Sequence, residues 1–327
     1  MERKYCPECD SALDRREFLV QAGRVAAVAG SAALWANLPR VHAAPQPNSA
    51  AETCVKQFYD SLSAAQKSEI CFPFEHELRH RISANWSITK HTIGSSFYTA
   101  EQRELIRQII RHVTSHDGYE RLMRQMDDDW GGWEAYTVAI FGEPGQGKFQ
   151  WEMTGRHLTL RADGDSVDRA AFGGPIIYGH GEESKPEANL FYYQTKQVNE
   201  IFAALDSKQR EQALIERAPR ENQVPIQGPG GTFPGLPASE LSADQKELLE
   251  RVIRTILAPY RQEDVDEVMA IFKATGGLEK LHLAFYKQGD LQNDGIWDIW
   301  RLEGPGFVWH FRGAPHVHAY VNIGIVS

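Results

Sequence analysis

Cysteine is scarce: the 327 residues contain four, and Cys6 and Cys9 lie in an N-terminal stretch that does not read as part of a folded domain. The other two, Cys54 and Cys71, can close at most one short loop, which excludes a disulfide-built scaffold. Basic residues are outnumbered, 35 Lys and Arg against 44 Asp and Glu, for a net charge of −9. That argues against nucleic acid or an anionic membrane surface as partner, since both select a basic face. Past the N-terminal stretch no apolar run reaches the roughly 20 residues a spanning helix needs. A nucleophile elbow, a dinucleotide fingerprint and a Cys–His pair in catalytic context are also missing. Core material is present in quantity, since 42% of the residues are hydrophobic. A chain of this length and composition forms one large domain or two ordinary ones.

The first residues read as an export signal. Asp14-Arg15-Arg16-Glu17-Phe18-Leu19 places two adjacent arginines before Phe-Leu. An Ala-, Gly- and Val-rich stretch runs from Val20 to about Leu38, and Val41-His42-Ala43 offers small residues where a signal peptidase reads. Charged start, apolar middle and small-residue cut site make a signal peptide over 1–43, and the paired arginines make it a twin-arginine one. The alternative, a retained anchor, is opposed by Gln21, Arg24 and Asn37 inside the apolar stretch. The expectation is a protein exported already folded by the twin-arginine machinery to the periplasm or beyond. It would be free of the membrane once cleaved, and the Cys6-x-x-Cys9 pair would be discarded with the leader.

One phrase recurs four times: an apolar residue, a capping residue, two spacers, then Gln and a base. It stands at Leu62–Lys67, Tyr98–Arg103, Leu205–Arg210 and Leu241–Lys246. Ser, Thr or Asp in second place is a helix N-cap, because its oxygen accepts an orphan backbone N–H. Leu105, Ile106, Ile109, Ile110 and Val113 share their spacing with Leu248, Leu249, Val252, Ile253 and Ile256, one apolar face at helical period. A further helical segment and a pair of glycines follow each. Strand-like runs come next, at Tyr136–Phe141 and Phe149–Arg161, then at Leu281–Tyr286, Gly295–Leu302 and Phe307–Phe311. The pattern predicts an α+β fold of two similar halves, each three helices followed by antiparallel strands. The halves would span 52–170 and 190–327, packed as one unit and joined by a Gly/Pro-rich connection over 171–189. A second turn-rich segment, Gln223–Pro237, reads as a lid or a long connection.

Several motifs carry chemistry on their face. Gly142–Lys148 matches most of a P-loop, but Phe149 stands where Ser or Thr would hold Mg²⁺ and a strand follows instead of a helix, so a hairpin turn is the better reading. His76-Glu77-Leu78-Arg79-His80 matches the zinc motif H-E-x-x-H; Pro73 just upstream, the cations Arg79 and Arg81, and the lack of a third ligand argue against it. Asp127-Asp128-Asp129 reads as a solvated helix end, and His112, His116 and His180 as ordinary polar residues. Trp297, Trp300 and Trp309 are spaced for a core or a pocket wall. Near the C-terminus His316-Val317-His318 puts two imidazoles on one face of a strand-like run. Such a pair begins a mononuclear metal site, or else it is a buried, hydrogen-bonded pair. A third ligand must come from elsewhere, and His157 lies in the corresponding strand region of the first half.

The pieces resemble one family. Gly155-Arg156-His157-Leu158-Thr159-Leu160, Phe172-Gly173-Gly174-Pro175, Glu303-Gly304-Pro305 and His316-Val317-His318 are similar to its G-H-H-L-S-L, F-x-G-x-x-P, E-G-P and H-x-H signatures. The family is domain of unknown function family 3500, mostly secreted bacterial proteins. The resemblance covers almost the whole chain after the leader and implies no established activity.

The sequence therefore sets up a metal-dependent enzyme. His157, His316 and His318 are the expected ligands of one transition metal ion (zinc, copper or iron), with Glu303 or His310 as a fourth ligand or a residue that orients one. The reaction would be hydrolytic or oxidative on a small molecule. The alternative is a non-catalytic protein that binds a metal or small ligand at the same place.

Overall fold

In a computed structural model of the chain, residues 44–290 and 293–326 are described; the expected leader, 1–43, lies outside them. Among the described residues the chain forms eight α-helices and one mixed sheet of eleven strands. The first set runs α1 (Ala50–Ser61), α2 (Ala64–Ile70), β1 (Cys71–Phe72), α3 (Ala100–His112), α4 (His116–Trp130), β2 (Thr137–Gly142), β3 (Phe149–Gly155), β4 (Leu158–Ala162) and β5 (Ile176–His180). The second runs α5 (Tyr192–Ala204), α6 (Ser207–Ala213), β6 (Leu214–Ile215), β7 (Leu236–Pro237), α7 (Ala243–Leu257), α8 (Gln262–Ala274), β8 (His282–Tyr286), β9 (Ile299–Gly304), β10 (Phe307–Arg312) and β11 (Val317–Ile323).

The recurring phrase is a capping box at all four places. Ser63, Thr99, Asp206 and Ser242 accept from the backbone of Gln66, Gln102, Gln209 and Gln245, and each glutamine reaches back to the capping residue's N–H. The glutamines also bind one another. Gln66 and Gln102 exchange amide hydrogen bonds at 2.8 and 3.1 Å, and Gln209 and Gln245 do so at 3.0 and 2.9 Å. Gln102 further donates to the carbonyl of Ser61, and Gln245 to that of Ala204. These amides fasten the start of α2 to that of α3 and the start of α6 to that of α7, with Gln102 and Gln245 buried.

Strand order across the sheet is β1-β2-β3-β4-β5-β11-β10-β9-β8-β6, with β7 paired to β8. β1 runs parallel to β2 and β6 to β8, and every other pairing is antiparallel. The two sets thus occupy opposite halves of a single sheet and meet at β5 and β11.

Alternation along the strands gives the sheet two unlike faces. Phe149, Trp151 and Met153 of β3, Phe307, Trp309 and Phe311 of β10, and Val317, Ala319 and Val321 of β11 join the helices in the main core. Their neighbours on the other face are polar yet buried: Gln150, Glu152, Arg161, Arg301, Glu303, His310, Arg312 and His318. Two segments without long elements cover that face. Residues 73–92 reach it through Ile88, whose N–H donates to Thr137 and Thr154. Residues 216–235 reach it through Val224, whose carbonyl accepts from Asn322 at 2.8 Å. Ala84 and Val224 meet there around Ile177, Val308 and Tyr320.

Three expectations change. The segment 171–189 is no mere connection, because Ile176-Ile177-Tyr178 builds β5, paired to both β4 and β11; a five-residue strand between Gly and Pro residues has too little length to show its period. Each set carries four α-helices instead of three, since α1 and α5 precede the first capping phrase of their set. The run Phe149–Arg161 is a hairpin that turns at Arg156 and His157. The segment that resembles a P-loop is the turn between β2 and β3, which are paired from Gly142 and Phe149 onward.

Candidate metal centre

His157 enters the site from a turn instead of a strand. Pairing of β3 with β4 runs up to Gly155 and Leu158, so Arg156 and His157 form the two-residue loop. His157 takes φ 54°, a left-handed conformation that His adopts more readily than most residues with a Cβ. Its backbone N–H donates to the carbonyl of Ala84 at 2.6 Å. On the helix side, the Tyr136 hydroxyl and the Gln125 amide donate to the carbonyl of Arg156 at 2.8 and 3.2 Å. Gly155 makes room for that arrangement, because a Cβ there would lie 2.1 Å from the Tyr136 ring.

His316 and His318 come from the start of β11. His318 stands opposite Gly179 of β5. A Cβ on Gly179 would meet the Cβ of His157 at 3.1 Å and the carbonyl oxygen of Val317 at 2.2 Å. Glycine at this position is what lets the His157 ring lie over the seam between the two sets.

The three rings form one cluster. Their centroids are 5.0 Å (His157–His316), 4.9 Å (His157–His318) and 4.7 Å (His316–His318) apart. One ligand atom from each lies within 4.8 Å of the others, and among the described residues no other group of three or more His, Cys, Asp or Glu side chains converges this way. The residues are 0%, 1% and 1% exposed.

Each ring is backed by a carboxylate. Nδ1 of His157 lies 2.8 Å from Asp129 Oδ2, Nδ1 of His316 2.7 Å from Glu183 Oε1, and Nδ1 of His318 2.8 Å from Glu221 Oε2. Donation of Nδ1–H to a carboxylate fixes the tautomer and leaves Nε2 with its lone pair. Nδ1 of His318 also lies 2.7 Å from Arg312, a donor, so it can satisfy only one of the two. Arg312 Nε lies 2.7 Å from Glu221 Oε1, so Glu221 stands between the guanidinium and the His318 ring. When Nδ1 of His318 donates to Glu221, the Nε2 atoms of His316 and His318 face each other as lone pairs at 3.0 Å; when it accepts from Arg312, the His318 Nε2–H donates to His316 across the same distance. Two lone pairs at that distance repel, and a cation between them relieves the repulsion.

The electrostatics match. Burial pushes His157 down, and its hydrogen bond to Asp129 opposes this only in part. Burial, then His318, His157, Arg312 and Arg156, push His316 to about 2. His318 is held well below its usual value by burial and Arg312. All three are neutral at physiological pH, as ligands must be. Burial raises Asp129, but hydrogen bonds from His157, Gln125 and Gly181 outweigh it and leave the carboxyl below the usual carboxylate range.

Glu303 and His310, expected near this site, lie outside the cluster. Glu303 accepts from Gln227 and stands 3.5 Å from Arg301. His310 accepts from Arg301 on Nδ1 and is pushed to about 3 by burial and that guanidinium. Orientation of the rings falls instead to Asp129, Glu183 and Glu221. Asp129 corrects the reading of Asp127–Asp129 as a solvated helix end: the first two are exposed, but the third faces inward from α4. His180 is buried too, with Nε2 3.1 Å from Asp128 and Nδ1 accepting from the backbone of Leu190. The H-E-x-x-H segment is a short 3₁₀ helix, Glu77–His80, that His76 caps. Trp300 and Trp309 pack edge to face in the core at 4.1 Å.

The chain belongs to the family described as Protein of unknown function (DUF3500), which it matches over residues 44–321. No curated protein and no solved structure matches it.

Proposed function

We propose that this chain is an exported metalloenzyme that holds one transition metal ion on His157, His316 and His318. What carries the reading is the backing of all three imidazoles by carboxylates, which aims one nitrogen of each at a common point. Three protein nitrogens leave a fourth position open, the arrangement of catalytic sites, whereas structural sites close with four. Neutral imidazole suits zinc, copper or iron. When bound, such an ion activates water for hydrolysis, or O₂ or peroxide if it is redox-active.

The chain's own residues then have distinct tasks. Asp129 orients His157 from the interior. Glu183 and Glu221, with side chains 55% and 28% exposed, orient the other two rings and give protons and a small substrate their way in. Complete burial of the rings also favours a second reading, a protein that stores or carries the metal without catalysis. A fourth protein ligand in the metal-loaded form would decide for it.

We infer further that the two sets arose by duplication, with β5 and β11 about the pseudo-twofold axis. The matched glutamine pairs and the mirrored strand order support this. Export by the twin-arginine route agrees with a metal loaded before translocation, because that route carries folded cargo. The test is metal content by mass spectrometry, on protein exported from a host grown in mixed trace metals, beside a His316→Ala/His318→Ala variant. Near one equivalent in the parent and none in the variant is the expected result. No metal in either would overturn the proposal.

A further inference from the structure

A second set of buried polar groups lies on the same face of the sheet, outside the histidine cluster. Arg301 of β9 stands in register with His310 of β10, and Tyr286 of β8 packs on that face with Ile215 and Ala218. Their exposures are 4%, 1% and 1%. Arg301 Nε donates to Nδ1 of His310 at 3.3 Å. An acceptor Nδ1 puts the ring proton on Nε2. That N–H and the Tyr286 hydroxyl have no hydrogen-bond partner among the described residues, and their rings are 6.4 Å apart, centroid to centroid. A buried donor without an acceptor keeps its full desolvation penalty, and here two stand near each other beside a guanidinium. The cation is only loosely neutralised. Glu303 Oε2 is 3.5 Å from its Nη1, beyond the charge-assisted range of about 2.7–2.9 Å, and Glu303 Oε1 accepts from Gln227.

We propose that Arg301, His310 and Tyr286 form a binding site for one small carboxylate group, whose oxygens accept from His310 Nε2 and Tyr286 Oη beside the guanidinium. Two donors and a cation suit a planar two-oxygen anion, whereas a cationic or apolar group would leave both donors unpaired. The segment 216–235 covers the site: its Gln223 carbonyl accepts from Arg301 Nη2 at 2.7 Å. The site also adjoins the histidine cluster. Glu221, backing His318, is near enough to act electrostatically on His310, and Arg312 follows His310 by two residues on β10, roughly 7 Å along the strand. A substrate anchored here by its carboxylate would extend towards the metal. That extension rests on the metal reading, but the carboxylate site does not.

The experiment is calorimetric titration of acetate into the metal-free and metal-loaded protein, for the parent, Tyr286→Phe and His310→Leu. Saturable binding of one acetate to both parent forms is expected, weakened about tenfold or more by either substitution, since each removes a donor to an anion. Metal content should not change. Thermal unfolding is followed alongside, and Tyr286→Phe, which keeps the ring, decides the matter if His310→Leu fails to fold. No binding by the parent, or binding that Tyr286→Phe leaves unchanged, would overturn the proposal, as would a crystal structure from acetate with a single water between the two donors. A parent without metal that still binds acetate would overturn the metal reading alone.

Discussion

Asp129 Oδ2 lies 2.8 Å from Nδ1 of His157, joining the last turn of α4 to the β3–β4 turn 28 residues later. The same carboxylate accepts from Gly181 N–H at 2.7 Å on its other oxygen and from Gln125 at 2.6 Å. One buried side chain therefore ties a helix, a hairpin and the loop after β5 around a ring that cannot turn.

Asp129→Asn is expected to lower metal affinity about 10- to 100-fold, the usual cost of losing a carboxylate that orients a histidine. Glu183→Gln should cost less, because its side chain is 55% exposed and water can replace it. Competition with a chelator on both variants measures the difference. Equal effects would contradict the ranking.

Gly179→Ala should disturb the site without replacing a ligand. The added Cβ meets the Val317 carbonyl at 2.2 Å, so β5 or β11 must shift. A loss of about 1–3 kcal/mol is expected from such overpacking, with metal content reduced as well. Denaturant unfolding and metal analysis report the two effects separately.

Glu267 gives the pH dependence a sign. It is buried on α8, and burial, then Asp163, Asp264 and Asp165, push it to about 9, against the pull of Arg261. Arg261 is engaged elsewhere, with Glu52 at 2.8 and 2.7 Å and Asp264 at 3.0 Å. The folded state thus keeps a proton that the unfolded chain releases near its ordinary value. Stability from this group is full at low pH and is lost as pH rises towards 9, by at most about 1.4 kcal/mol per unit. Between about pH 7.5 and 9, His157, His310, His316 and His318 are neutral in the fold and almost wholly so in the unfolded chain, and they add little slope. Melting temperature should fall over that window and fall less in Glu267→Gln.

What the sequence showed depended on local signals. The capping phrase announced four helix starts because Ser63, Thr99, Asp206 and Ser242 act within one turn of themselves. The pairing of Gln66 with Gln102 was hidden, since nothing local says that a capping glutamine has a second partner 36 residues away. His316 and His318 were legible from a spacing of two. His157 was named but placed in a strand, because Arg156 and His157 lack the Asn-Gly chemistry that usually marks a two-residue turn. Of the three carboxylates, Asp129 was read as part of a solvated helix end, and Glu183 and Glu221 went unnamed. Asp129 is the inward member of an acidic run, and Glu183 and Glu221 sit in segments without period. Their roles exist only once β5 and β11 pair.

X-ray absorption at the edge of the metal that copurifies reads the atoms that hold the ion. Three imidazole nitrogens around the ion are expected, at about 2.0–2.1 Å if it is zinc, and they should be lost in His316→Ala/His318→Ala. A shell of sulfur or of oxygen alone, or a spectrum unchanged in that variant, would contradict the three-histidine site.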